Sequence, residues 1–233
     1  SILVESVLAE APDLIGVQEA DEPWMDWLPE QLEGYEFVGV GRDDGVEAGE
    51  FSAIFYKADR FTLIDTATFW LSETPTEPSF GWGANNRRIC TFANFRDALT
   101  GRSFAHYNTH LDHESALARE NGVAMILEAI AKNPNPSILT GDLNFPEEAE
   151  LHQVIEDSLL TDAKTSAEQT MSHGTINYFV SADIGLVIDF VFADETAFGF
   201  DTYRVLTESE FEGTPVSDHY PVVADLRFVD EGS

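Results

Sequence analysis

The sequence predicts an α/β fold in which two mixed β-sheets pack face to face with helices outside. Three observations predict it. Short apolar runs of strand length recur along the whole chain, several lie close enough together to form antiparallel hairpins, and helical patterns interrupt them as crossovers. In chain order, residues 1–10 read as a helix, and Asp13-Leu14-Ile15-Gly16-Val17-Gln18-Glu19 is an apolar stretch that closes on a carboxylate. Strand patterns follow at 37–41, 51–56, 61–71, 89–95 and 103–109. A helix over 115–131 carries Ala116, Val123, Ile126, Leu127 and Ile130 at helical spacing and is stopped by Pro134 and Pro136. Further strands read at 137–140, 186–193, 203–206 and 220–228. Pro146-Glu147-Glu148 opens another helix, with proline and acids in the first turn and Leu151, Val154 and Ile155 on the buried face. Residues 72–86 are rich in Pro, Gly, Thr and Ser and carry Phe80 and Trp82. They are too long and too punctuated for a hairpin turn, so they read as a functional surface loop.

With 233 residues, the chain reads as one domain over 1–233 with a substantial core. Its charge is the unusual quantity: 43 acidic against 12 basic residues give a net −31. The acids lie between apolar segments and form no tail, the pattern of a solvated face suited to high salt, where repulsion is screened within a few ångströms. One cysteine, Cys90, excludes an intramolecular disulfide and reads as a core strand residue. No apolar run reaches the ~20 residues of a membrane span and the start shows no signal-peptide pattern, so the expectation is a cytoplasmic protein of a high-salt cell.

Polar groups gather where the apolar runs end. Thr140-Gly141-Asp142-Leu143-Asn144 follows one strand pattern, Ser217-Asp218-His219 precedes another, and Asn108-Thr109-His110-Leu111-Asp112-His113 closes a third. Any one of these residues alone fits an ordinary turn, cap or core position. Gathered at strand ends, carboxylates, an amide and imidazoles suit a divalent-metal phosphoesterase: hard oxygens hold Mg²⁺, and imidazoles move protons or stabilise phosphate charge.

In their order, Val17-Gln18-Glu19, Asn108-Thr109-His110, Gly141-Asp142-Leu143-Asn144, Ile188-Asp189-Phe190-Val191-Phe192 and Ser217-Asp218-His219 resemble the motifs of the endonuclease/exonuclease/phosphatase superfamily. The resemblance runs from residue 13 to residue 226 and implies a four-layer α/β sandwich and a Mg²⁺- or Mn²⁺-dependent phosphoesterase of nuclease or phosphatase type. It implies that Glu19 is the principal metal ligand and that Asp142 and Asn144 hold or activate the attacking water. Asp218 would help to bind metal or orient the site, His219 would contact the scissile phosphate or take a proton from water, and Asp189 would hold His219 through its second ring nitrogen. His110 would face the leaving-group oxygen, supported by Glu50, which stands where the deoxyribonuclease branch has a glutamate. Asp112 and His113 are expected at the rim and His173 near the site or in a plain loop. Arg87 and Arg88 are expected either to reach a phosphate or to pair, exposed, with local acids.

Family members open on a strand that ends in an asparagine, and no counterpart precedes Glu19 in this sequence. Two expectations follow: an open sheet edge through which copies could self-associate, and a rival reading as a catalytically weakened binding protein on the same fold. With nine arginines and three lysines in all, a small phosphoester carries as much weight as DNA or RNA.

Overall fold

The computed structural model describes residues 2–180, 183–207 and 216–229. In chain order the elements are α1 (Ile2–Ala9), β1 (Leu14–Ala20), α2 (Glu22–Gln31), β2 (Tyr35–Val38), β3 (Phe51–Lys57), β4 (Phe61–Trp70), β5 (Ile89–Asp97), β6 (Ser103–His110), α3 (Ala116–Lys132), β7 (Ser137–Asp142), α4 (Glu150–Glu156), β8 (Leu160–Asp162), α5 (Ala163–Ser166), β9 (Gln169–Met171), β10 (Asp189–Asp194), β11 (Phe198–Val205) and β12 (Val222–Phe228). They divide into two compact units, one of residues 13–144 and one that joins residues 1–12 to 145–233.

Within the 13–144 unit two sheets face each other. One is antiparallel with order β1-β3-β2; in the other, β4, β5 and β6 are antiparallel and β7 lies parallel to β6. The β6–α3–β7 crossover makes that parallel pairing possible, because parallel neighbours cannot be joined by a tight turn. Helix α2 lies against β1 and β2. Helix α3 lies against the other sheet, where the Tyr107 hydroxyl donates to the Ala129 carbonyl. This unit therefore has the expected four layers. Between the sheets sits Asn108, fully buried. Its amide nitrogen donates to the carbonyls of Val17 (3.0 Å) and Ala53 (2.9 Å), and its oxygen accepts from the Gln18 amide at 2.7 Å. A Cβ at Gly16 would meet Thr140 Oγ1 at 2.6 Å and Asn108 Oδ1 at 2.7 Å, so only glycine allows the sheets to approach this closely. The aromatic core is built from Tyr56, Phe61, Phe95 and Phe104, with ring centroids 4.8 to 5.8 Å apart. Cys90 is buried in β5, as expected.

In the second unit β11 pairs antiparallel with β12 and parallel with β9, while β10 pairs antiparallel with β8. Its core is phenylalanine-rich, with Phe190 and Phe192 both 5.3 Å from the ring of His152. Helix α4 corrects the reading from Pro146-Glu147-Glu148: the helix starts at Glu150, and Val154 is exposed. His152 shares the buried stripe with Ile155 because its Nε2 bonds Asp162 at 2.9 Å, which satisfies the ring inside the core. In α3, Ser115 caps the helix by accepting from the Ala118 amide at 3.1 Å, and Val123 and Ile126 are buried as their spacing predicts. Ala116 lies exposed in the first turn.

The strand pattern at 37–41 is displaced to Tyr35–Val38, and that at 203–206 extends back to Phe198. Helix α2 has no clear sequence signal because Pro29 lies inside it. Among the described residues no helix is long and apolar enough to cross a membrane.

Candidate active site

The parallel register of β6 and β7 sets His110 opposite Asp142 at the last position of both strands. The antiparallel register of β1 and β3 shifts between Val17 and Ala20, where Ala20 faces Phe51. A shift of this kind re-aims side chains, and it falls on Glu19, whose φ is +60°. Glu50 immediately precedes β3. The register thus delivers Glu19, Glu50, His110 and Asp142 to neighbouring strand ends, and the side chains converge. His110 Nε2 is 3.4 Å from Asp142 Oδ2 and 3.9 Å from Glu19 Oε1, and its Nδ1 is 3.9 Å from Glu50 Oε2. His110 and Asp142 are buried, and the Glu19 side chain is 63% exposed. Two carboxylates within 4 Å of one ring nitrogen concentrate negative charge that a cation relieves, and hard oxygen donors suit Mg²⁺ or Mn²⁺.

Asn144 also has a positive φ, +53°, a conformation that asparagine tolerates better than most residues. Its main-chain N–H donates to Asp142 Oδ1 at 2.9 Å, and its side-chain amide donates to the Leu111 carbonyl at 2.9 Å, so the carboxylate and the amide are held in one turn. A narrow cleft lies beside His110, with Arg42, Glu50, Ser52 and Arg87 as its polar walls and Phe51 and Ile89 as its apolar ones. Arg87 lies 4.4 Å from the Phe80 ring, which brings the 72–86 loop beside this cleft. His106, four residues before His110 on the same strand, shows what a core histidine looks like. Fully desolvated and bonded to Thr140 Oγ1 at 2.8 Å, it has its pKa pushed down to about 3 by burial and stays neutral.

The second unit holds the Asp189–His219 pair. His219 Nδ1 lies 2.8 Å from Asp189 Oδ2 and 3.1 Å from Oδ1. Two residues that sequence reasoning passed over bring the pair together. Buried Thr175 accepts the main-chain N–H groups of Ile188 (3.0 Å) and Asp189 (3.2 Å) on its hydroxyl, and its carbonyl accepts from the Tyr220 N–H at 2.7 Å. Asn177 donates its main-chain N–H to the Asp218 carbonyl and its amide to the Ser217 carbonyl. Their signal in sequence was faint: a Thr and an Asn in an otherwise ordinary Gly-Thr-Ile-Asn stretch. The contacts of Asp218 run through its main-chain carbonyl. His173 packs edge-on against Tyr220, with Nδ1 2.7 Å from the Gly174 carbonyl oxygen.

Two expectations are corrected. Asp112 is not at the rim: it is 1% exposed, accepts the N–H groups of Glu114 and Ser115 ahead of α3, and lies 3.5 Å from Arg88. Those N–H donors and Arg88 outweigh burial and hold its carboxyl below the usual range. Arg88 is likewise buried, so it anchors the Asp112 turn and does not meet solvent as an exposed pair. Arg87 is paired with Asp43 at 3.1 Å and lines the cleft.

Over residues 1–219 the chain matches the Endonuclease/Exonuclease/phosphatase family. A solved family protein from Bacteroides thetaiotaomicron is 34% identical, with 99% of this chain and 88% of that one covered, at a TM-score of 0.93. A mannosyl-6-phosphatase from Bacteroides thetaiotaomicron VPI-5482 is 33% identical over 97% of this chain and 90% of that one, with a TM-score of 0.90. A protein of Acanthamoeba polyphaga mimivirus is 25% identical over 95% of this chain and 88% of its own length.

Proposed function

Because the chain belongs to the endonuclease/exonuclease/phosphatase family and is a phosphoesterase, we propose that it hydrolyses small phosphorylated molecules, sugar phosphates foremost, with a divalent metal ion. The observation that carries the reading is the convergence of Glu19, Asp142 and Glu50 on His110 at the strand ends. Glu19 and Asp142 would hold Mg²⁺ or Mn²⁺, which when bound neutralises charge on the phosphoryl oxygens. Asp142, fixed by the Asn144 turn, orients the attacking water. In the second unit His219 would move a proton at Nε2, because Asp189 on Nδ1 holds the ring orientation and stabilises the imidazolium. His110, faced by Glu50, stabilises the departing oxygen as charge develops there.

A small substrate is favoured over a nucleic-acid backbone by where the cations go. At least nine of the twelve lysines and arginines sit in ion pairs with acids, among them Lys57 and Arg60 with Asp13, Lys132 with Glu128, Lys164 with Glu147 and Arg204 with Glu10. Backbone tracking needs a row of cations aimed at successive phosphates. The relative 33% identical to this chain is named for a phosphorylated sugar.

The deciding experiment compares sugar 6-phosphates, bis(p-nitrophenyl) phosphate and single-stranded DNA with Mg²⁺, Mn²⁺ or EDTA in molar KCl. Phosphate release from a sugar phosphate, lost in EDTA, is the expected result. Cleavage of DNA alone would overturn the substrate class, and no turnover with any of them would favour a binding protein on this fold.

Net charge −31 also makes folding stability depend on salt. Screening shortens from about 10 Å at 0.1 M to about 3 Å at 1 M, so repulsion among surface acids falls. The thermal midpoint should rise between dilute buffer and molar KCl, and an unchanged midpoint would contradict adaptation to high salt.

A further inference from the structure

The loop that joins β2 to β3 is built more elaborately than a connection requires. Arg42 N–H donates to the Glu50 carbonyl at 3.1 Å, and Asp43 N–H donates to the Ala48 carbonyl. Asp44 Oδ1 accepts the N–H groups of Val46 (2.8 Å) and Ala48 (3.0 Å). A Cβ at Gly41 would collide with the Ala48 backbone, and Gly45 and Gly49 stand at φ +76° and +84°. The Trp70 indole donates to the Arg42 carbonyl at 2.7 Å and ties the loop to β4. The closed loop sets one side-chain pair: Arg42 grips Glu50 with both arms of the guanidinium, NH1 to Oε2 at 2.6 Å and NH2 to Oε1 at 2.8 Å.

The same Glu50 Oε2 that receives the shorter of these bonds faces His110 Nδ1 at 3.9 Å. We propose that Arg42 is a positioning residue of the hydrolase: its two-pronged grip fixes the rotamer of Glu50, and Glu50 in turn fixes the ring of His110. This inference rests on the phosphoesterase reading of the His110 site. A glutamate side chain has several staggered rotamers open to it, and the one held here presents Oε2 to the ring. The planar fork of arginine matches both carboxylate oxygens at once, which selects that rotamer; the point charge of lysine cannot make the two parallel bonds. Arg42 is nearly covered, its side chain 12% exposed, and both of its terminal nitrogens are engaged by Glu50. It is thereby placed to act through Glu50 more than by gripping substrate itself.

The test combines kinetics with a readout that needs no turnover. Arg42→Lys keeps the charge and most of the stem, and Arg42→Ala removes both. Each should lower kcat on the best substrate by about 10-fold, the scale seen when a partner of a site residue is removed, with KM little changed. Glu50→Gln should lower kcat to a similar degree, and Arg42→Lys added to Glu50→Gln should lower it no further, because residues that act in series are not additive. Guanidinium ion added to Arg42→Ala should restore part of the lost rate. Independently, the ring-nitrogen resonances of His110 at one fixed pH should move or broaden in Arg42→Lys, while those of His106 and His152 stay in place. A raised KM at wild-type kcat would make Arg42 a substrate contact and overturn the proposal, as would wild-type kcat in Arg42→Lys or unmoved His110 resonances. If Arg42→Ala does not fold, Arg42→Lys and the resonances still decide. An inactive wild-type protein would overturn the proposed function, and the resonances alone would then judge whether Arg42 orders His110.

Discussion

Glu19→Gln is expected to abolish metal-dependent hydrolysis while the protein keeps its fold. Glutamine has the size and shape of glutamate, so the change removes one negative charge from an oxygen that stands 3.9 Å from His110 Nε2 and leaves the packing of β1 intact. The side chain is 63% exposed, so little packing is lost with it. Its residue occupies φ +60°, a conformation in which a non-glycine side chain is held by its surroundings and not by its own preference. A carbonyl-type oxygen in place of a carboxylate weakens attraction for a divalent ion in a partly buried site far more than on an open surface. The measurements are phosphate release in Mg²⁺ and Mn²⁺, Mn²⁺ affinity by calorimetry, and the thermal midpoint in EDTA. Lost turnover and lost Mn²⁺ binding at an unchanged midpoint is the expected outcome. Turnover equal to wild type would remove Glu19 from the site.

His219→Ala should lower kcat by at least about 10²-fold, the usual scale for a group that transfers a proton in the transition state. Asp189→Asn should produce a smaller loss of the same kind, because an amide at the Asp189 position can hold a ring nitrogen but cannot stabilise an imidazolium. The two changes made together should lower kcat no more than His219→Ala alone, since Asp189 acts through the ring. Steady-state kinetics on the four proteins decide the matter. Additive losses would mean that Asp189 has a separate task, and full activity in His219→Ala would take the pair out of the reaction.

The longer strands and the motifs that end them were legible in the sequence because both are local, whereas the three-residue strands β8 and β9 were too short to carry a pattern. Two-residue periodicity marks a strand wherever it folds, and Asp142, His110 and His219 stand at the close or the opening of an apolar run whatever lies opposite. The first turn of α4 misled because proline and acids at 146–148 are helix-opening residues by composition. The helix instead starts at Glu150, and its buried face includes His152, which bonds Asp162 at 2.9 Å. Arg42 could not be recognised at all: nothing within a few residues of a Gly-Arg-Asp-Asp-Gly turn says that its partner is a glutamate eight positions on, or that this glutamate faces a histidine sixty residues later.

The sequence by itself therefore determined the longer strands and the helix over 116–132, the acidic composition, and which residue types stand at strand ends, since each is set by spacing and composition. Only the tertiary structure decided that the β6–β7 register puts His110 against Asp142, that Asp112 and Arg88 are buried partners, and that Thr175 and Asn177 hold Asp189 to His219. Those outcomes depend on which strand pairs with which and on burial. Both come from long-range contacts whose free energy no local stretch of the chain contains.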